Sequence, residues 1–164
     1  FTSRNFKIVG ESGHVYGYGK SVWAMIDLDT RHPADILAVR GGLITEYIET
    51  EYPCPIEKSS RVKLSVGTTP MRSIDTYYND VDINGHINSV KYIEHVLDLW
   101  DVAWYKQHCI KRFEIAYVAE SHQGDRLHFY REGRDSDTDF NVRITKSNRD
   151  SEEVEVCRCR VQFV

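Results

Sequence analysis

The second half of the chain is written in two hydrophobic periods. Between residues 89 and 108, Val90, Ile93, Leu97, Trp100 and Trp104 recur at steps of three and four, which predicts a helix with one broad apolar stripe. Asn88 or Ser89 is the expected N-cap. From residue 112 the step drops to two. Phe113, Ile115 and Tyr117 alternate over 112–119, Phe140, Val142 and Ile144 over 138–146, and Cys157, Cys159, Val161 and Phe163 over 153–164. With a further segment at 126–131 these predict four strands. Turn signals at 123–125, 133–137 and 147–151 separate them, and 62–66 and 71–79 read as extended segments ahead of the helix.

The pattern is weaker upstream. Residues 5–29 read as a hairpin with its turn at Glu11-Ser-Gly-His, and Gly17 and Gly19 in the returning strand predict a bend or bulge. Thr30-Arg-His-Pro ends that strand, because proline lacks the ladder donor. Residues 34–49 are weakly helical and interrupted at Gly41-Gly42, and Pro53 and Pro55 mark an extended linker. A helix with a wide stripe, followed by four strands on short connections, has one economical packing: the sheet curls around the helix and buries the stripe. The expected class is α+β, a hot-dog fold with an antiparallel sheet wrapped around a long central helix. Residues 56–164 read as one complete hot-dog domain. Residues 1–55 read as the C-terminal part of a truncated first hot-dog repeat plus linker. The opening at Phe1, inside a strand-like segment, fits a piece cut from a longer protein.

Composition narrows the classes. A chain of 164 residues with 41% hydrophobic and 28% charged residues has the makeup of a soluble globular protein. Its net charge of -4 argues against a general nucleic-acid binder. No apolar run reaches the roughly 20 residues that span a bilayer, and no targeting segment is visible. Cys54, Cys109, Cys157 and Cys159 form no CxxC pair, so they read as small buried hydrophobes in a reducing compartment.

The densest chemistry lies at the entry to the predicted helix. Asp80, Asp82, Asn84, His86 and Asn88 occupy every second position of Asp80-Val-Asp-Ile-Asn-Gly-His-Ile-Asn-Ser-Val-Lys-Tyr-Ile-Glu. An extended backbone would point them one way, with a bend at Asn84-Gly85. Asn84, His86 and the unpaired N–H groups of the helix end would then converge on a carbonyl becoming an oxyanion. Glu120, at the end of the strand carrying Phe113, is the candidate base, since a carboxylate ending a mostly apolar strand can be tuned for that work by partial desolvation. Asp82 either orients His86 or Asn84 or acts as the carboxylate itself. The bland readings are a capping role for Asn88, a solvated strand end for Glu120 and a structural place for a lone histidine. Ser121 and His122 are a weak nucleophile pair, since neighbours on a strand point apart. No HExxH or paired Cys/His spacing suggests a metal.

The stretch from Asp80 closely resembles the signature of acyl-ACP thioesterases, the hydrolases that end fatty-acid synthesis. The run Phe113-Glu-Ile-Ala-Tyr-Val-Ala-Glu-Ser resembles that family's second site segment, with Glu120 at the glutamate position and Ser121 where cysteine is common. Trp23-Ala-Met-Ile-Asp-Leu-Asp-Thr-Arg-His-Pro resembles the end of its N-terminal repeat. The resemblance implies hydrolysis of fatty acyl-ACP to free fatty acid and carrier, with Asp82, Asn84, His86 and Glu120 as the catalytic set. The serine at 121 favours carboxylate over cysteine chemistry. Asn88, Trp23 and Met25 are the implied substrate-binding residues, and no cofactor or metal is expected. The implied partners are an acylated acyl carrier protein and its fatty acyl thioester, with a homodimer as the expected assembly. Lys111, Arg112, Arg126, Arg131 and Arg134 are the candidate basic docking residues. The implied compartment is the bacterial cytoplasm or the plastid stroma. A hot-dog acyl-CoA thioesterase, a hot-dog dehydratase and a non-catalytic acyl-binding module are the competing readings.

Overall fold

A computed structural model of the chain describes residues 1–30, 32–65, 67, 69–148 and 152–164. The chain divides into two compact units, Phe1–Lys58 and Ser59–Val164. In the first, β1 (Thr2–Val9) and β2 (Val15–Trp23) form the expected antiparallel hairpin. Ile8 pairs with Gly17 and Val9 with Val15, so Tyr16 is the extra residue of a bulge beside the first of the two glycines. The weakly helical segment is a pair of 3-10 turns within Ile36–Tyr47, parted where Arg40, Gly41 and Gly42 take positive φ. Phe6, Ile8, Tyr18 and Trp23 stay exposed, as expected of a hairpin with too few strands to enclose a core.

The second unit holds a five-stranded antiparallel sheet. Its strands are β3 (Arg72–Asp75), β4 (Ile110–Tyr117), β5 (Arg126–Gly133), β6 (Asp139–Ser147) and β7 (Val154–Phe163), in the order β3-β5-β6-β7-β4. The four strands read from alternation all form. Of the final turn signal, at 147–151, residues 149–151 lie outside the described residues, as does Val66 of the segment 62–66. Cross-strand register stacks Phe113, Val161 and Phe140 in one row and Tyr117, Cys157, Ile144 and Phe129 in another. Val161, Cys157, Ile144 and Phe129 are fully buried, and they meet Tyr92, Val96, Leu99 and Trp100 from the helical segment.

That segment differs from the expected long helix. It runs as α1 (Ser89–Leu97) and a single turn α2 (Val102–Tyr105). Asp98 caps the end of α1, and the Asp101 carboxylate accepts the Trp104 N–H at 2.8 Å to start α2. Between them Leu99 and Trp100 drop into the core, and Trp100 meets Phe140 and Phe163 edge-on at 5.2 and 5.0 Å. Arg131 donates to the freed Leu99 carbonyl at 2.6 Å. The buried stripe is Tyr92, Val96 and Leu99, at i, i+4 and i+7, and not the face carrying Val90, which is exposed. The rotation is fixed at the helix entry, where Ile87 N–H donates to the Ser121 carbonyl at 2.8 Å and Asn88 N–H to the Asp80 carbonyl at 2.7 Å.

The opposite face of the sheet is polar and is crossed by a strap, residues 59–65, that joins no strand. Glu114, Arg160, Asn141 and Glu132 lie side by side in register across β4, β7, β6 and β5. Ser60 bonds Glu114 through its N–H at 2.6 Å and accepts from Arg160. The Lys63 carbonyl accepts from Asn141 at 2.9 Å, and Ser65 N–H donates to Glu132 at 2.9 Å. Beneath the strap Arg160 grips Asp139 through two nitrogens, at 3.0 and 2.7 Å, and this pairing holds the Asp139 carboxyl below its usual range. Two cysteines match the sequence reading, since Cys157 and Cys159 are fully buried. Cys109 does not: it follows α2 on the surface and is exposed, and Cys54 is half-buried. All four are free thiols.

Candidate active site

The segment from Asp80 is not an extended strand. Val81 and Ile87 form an isolated bridge, and the residues between them close a tight hairpin loop. Gly85 N–H donates to the Asp82 carbonyl at 3.1 Å, and Asp82 N–H donates to the His86 carbonyl at 2.8 Å. Gly85 takes φ +80, the left-handed conformation that a three-residue hairpin loop demands at this place. The polar side chains therefore do not share one direction. The Asp82 carboxylate folds back over its own loop, accepting the N–H of Asn84 at 2.8 Å and of His86 at 3.2 Å, with the Asn84 amide at 3.4 Å. The Asn84 N–H bond leads the effects that hold the Asp82 carboxyl below its ordinary 3.8. Asp82 is thus an ionised clamp on the loop that presents Asn84 and His86.

His86 and Glu120 come together from separate elements. His86 Nε2 lies 3.3 Å from Glu120 Oε2, with the imidazole partly covered and the carboxylate half exposed. The backbone between Ile87 and Ser121 bridges the two segments at this point. Beyond Glu120 the chain turns through Gly124 at φ +91, and the Asp125 carboxylate accepts the His122 N–H at 2.9 Å. Buried Thr76 anchors that turn, its hydroxyl lying 2.9 and 2.8 Å from the carbonyls of His122 and Asp125. The His122 ring stands edge-on to His86 at 5.1 Å. In the sequence His122 reads only as a partner for Ser121, Asp125 only as part of a turn signal, and Thr76 carries no motif. Ser121 is fully buried, its hydroxyl faces that of Tyr92, and neither hydroxyl meets any other hydrogen-bonding group among the described residues.

The start of α1 is already occupied in part. Asn88 Oδ1 accepts the Val90 N–H at 3.0 Å and the Asn88 carbonyl accepts that of Lys91 at 2.9 Å. Asn88 is therefore the N-cap, and two of the donors expected to face an oxyanion are satisfied within the helix. Asn88 also borders an open groove with Tyr78, Asn79, Val81, Asp82 and Ile83. Trp23 and Met25 belong to the first unit. Trp23 lies under Arg4 at 4.8 Å and donates to Ser21 at 2.8 Å, and Met25 accepts the Ala34 N–H through its carbonyl at 2.9 Å. Most of the expected docking cations have structural work. Arg112 pairs with Glu114, Arg126 with Asp75 and Arg134 with Asp135, while Arg131 lies 4.9 Å over Trp100. Among the described residues no group of three His, Cys, Asp or Glu side chains is placed to hold a metal ion. No helix among them is long and apolar enough to cross a membrane.

An antiparallel sheet packed on a helix whose N-terminal loop presents a histidine to a carboxylate defines a hot-dog domain. The family profile of the acyl-ACP thioesterase C-terminal domain matches residues 65–163, and the chain belongs to that family. It is similar to the palmitoyl-acyl carrier protein thioesterase, chloroplastic, of Gossypium hirsutum, at 26% identity over 141 residues, which is 84% of this chain and 34% of the relative. Among solved structures it resembles an acyl-ACP thioesterase from Bacteroides thetaiotaomicron, at 46% identity and a TM-score of 0.86, covering 99% of this chain and 62% of that one. The 12:0-ACP thioesterase from Umbellularia californica shares the fold, with a TM-score of 0.80 at 18% identity, over 99% of this chain and 62% of its own. The chain thus spans about a third of the plant relative and under two thirds of these solved proteins.

Proposed function

We propose that the protein hydrolyses fatty acyl thioesters borne on acyl carrier protein, releasing the free fatty acid and the carrier thiol. The observation that carries this reading is the 3.3 Å contact between His86 and Glu120, two residues that meet only through the fold. Glu120 takes a proton from water as the water oxygen attacks the thioester carbonyl. Donors on Asn84 and His86 hold the resulting oxyanion, a class of contact worth roughly 3–4 kcal/mol when well aimed. The tetrahedral intermediate then collapses, the carbon–sulfur bond breaks, and the proton passes to the departing thiolate. Asp82 acts on neither substrate nor water in this scheme, because its oxygens are taken by the loop that carries Asn84 and His86.

Two further assignments support the same reading. The first unit is the tail of an N-terminal hot-dog repeat, in line with the solved Bacteroides protein, whose fold matches 99% of this chain. Trp23 and Met25 are then acyl-binding residues of that repeat, and Asn88 is one in the second unit through the groove it borders. The reaction belongs where acylated carrier is made, the bacterial cytoplasm or the plastid stroma. The test is release of thiol from acyl-ACP by the purified protein. His86→Ala and Glu120→Gln should each lower turnover by about 10²- to 10⁴-fold without loss of fold. Full turnover in both variants would reject the assignment.

A further inference from the structure

The polar face of the sheet carries a second concentration of chemistry. One row along from the strap's anchor points, Arg158 of β7 lies directly opposite Arg143 of β6. Like charges in direct cross-strand register repel, and among the described residues only Arg158 of the two forms an ion pair. Arg158 pairs with Glu155, Nε to Oε1 at 2.5 Å. Arg143 lies over the Tyr130 ring at 4.5 Å, and its buried Nε meets no acceptor among the described residues. Glu153, whose carboxylate senses Arg143, is held through Oε2 by the hydroxyls of Tyr130 and Thr145. The strap brings Arg61 and Lys63 to the same place, and neither forms an ion pair among the described residues. Four cations thus line one open pocket with a single carboxylate, an excess of three positive charges on a chain whose net charge is -4.

We propose that this pocket is an anion site that binds a phosphate ester of a small molecule. A lone carboxylate would neutralise one charge of the three, whereas a phosphate or diphosphate carries two or more and presents several oxygens to guanidinium forks. Val62 and Leu64 at the pocket edge offer an apolar surface to the organic part of such a ligand. The site lies on the sheet face opposite the core and stands independently of the hydrolase reading.

Calorimetric titration of the purified protein with inorganic pyrophosphate tests it, at constant ionic strength and beside thermal unfolding. The expected result is saturable one-site binding and a raised unfolding temperature. The double variant R143Q/R158Q should bind at least about tenfold more weakly. Without anion it should unfold no earlier than the parent, because the cross-strand repulsion is gone. Lys63→Gln, on the exposed strap, tests the site without touching the sheet and should weaken binding by about tenfold. Thiol release should be unchanged in all of these, which keeps this outcome separate from that of the hydrolase test. Absence of saturable binding, equal binding by every variant, or the same stabilisation from sodium chloride at matched ionic strength would overturn the proposal.

Discussion

Ser121→Ala separates two chemistries at the candidate site. Ser121 stands where a nucleophile would be sought, between Glu120 and His122, yet it is fully buried and its Oγ faces only the Tyr92 hydroxyl among the described residues. Its carbonyl instead holds Ile87, the residue after His86. A buried hydroxyl without a hydrogen bond costs about 1–3 kcal/mol. The neighbouring Tyr92 hydroxyl, whose phenol burial pushes up to about 12, shares the spot as a neutral group. Ser121→Ala leaves the buried Tyr92 hydroxyl without its one polar neighbour, so it should destabilise the protein by about 1 kcal/mol, near the low end of that range. For a chain of this size that lowers the unfolding midpoint by roughly 2–4 °C. Circular dichroism melting beside a thiol-release assay measures both sides, and turnover should stay within about twofold of the parent. A loss of turnover of about a hundredfold in a folded Ser121→Ala variant would put the hydroxyl in the reaction. A rise of several degrees in the midpoint would show that the two hydroxyls make no bond worth keeping, against this reasoning.

Three other predictions concern the scaffold. An added Cβ at Gly85 meets nothing within 4 Å, so Gly85→Ala should cost only backbone strain, about 1–2 kcal/mol in urea unfolding; Gly85→Asn should cost less, and equal losses would refute a conformational cause. A thiol reagent should modify exposed Cys109 in the native protein but leave Cys157 and Cys159, whose thiols burial pushes up, the latter to about 12, until the protein unfolds. Burial, aided by Arg72, holds the His95 imidazole below its ordinary 6.5, against the pull of Asp80, Asp98 and Glu94. The unfolded chain therefore takes up that proton first, and stability should fall as pH drops below 6.5. His95→Gln should remove this stage, and an unchanged slope in the variant would assign it elsewhere. A second loss should follow below 3.8, as the carboxyls of Asp82 and Asp139 give up their native bonds on protonation.

The strands were legible because a period of two is a direct record of which face is buried, and Cys157, Cys159, Val161 and Phe163 keep it without a fault. The helix was harder. Trp100 and Trp104 continue the three-and-four spacing through a break, so the stripe reads as continuous although Asp98 and Asp101 are caps in plain sight. Val90 misled for the opposite reason: it fits the period, but the bonds of Ile87 and Asn88 to distant carbonyls rotate it outward. At the site, the meeting of His86 with Glu120 was readable from the motif and the strand end. The clamp made by Asp82 fits one of the two readings of that residue, but the backbone bonds that make it were not legible, because a loop closing at Gly85 turns an alternating pattern into a folded one. The strap keeps a short period of two at Val62 and Leu64, which reads as extended backbone but names no partner. Its bonds reach partners 54 to 100 residues away, and local pattern holds no trace of such pairings.

Those distances give the strap a place in time as well as in space. Its four anchor residues form a row only once β4, β7, β6 and β5 are aligned in register, so the strap has nowhere to dock until the sheet is finished. Closing loops of such length before any partner is in place costs entropy that nothing yet repays. The strap is therefore the last piece to settle during folding and the first to lift when the sheet slips. Amide protons of Ser60 and Ser65, donated to Glu114 and Glu132, serve as reporters of sheet integrity at the earliest stage of unfolding.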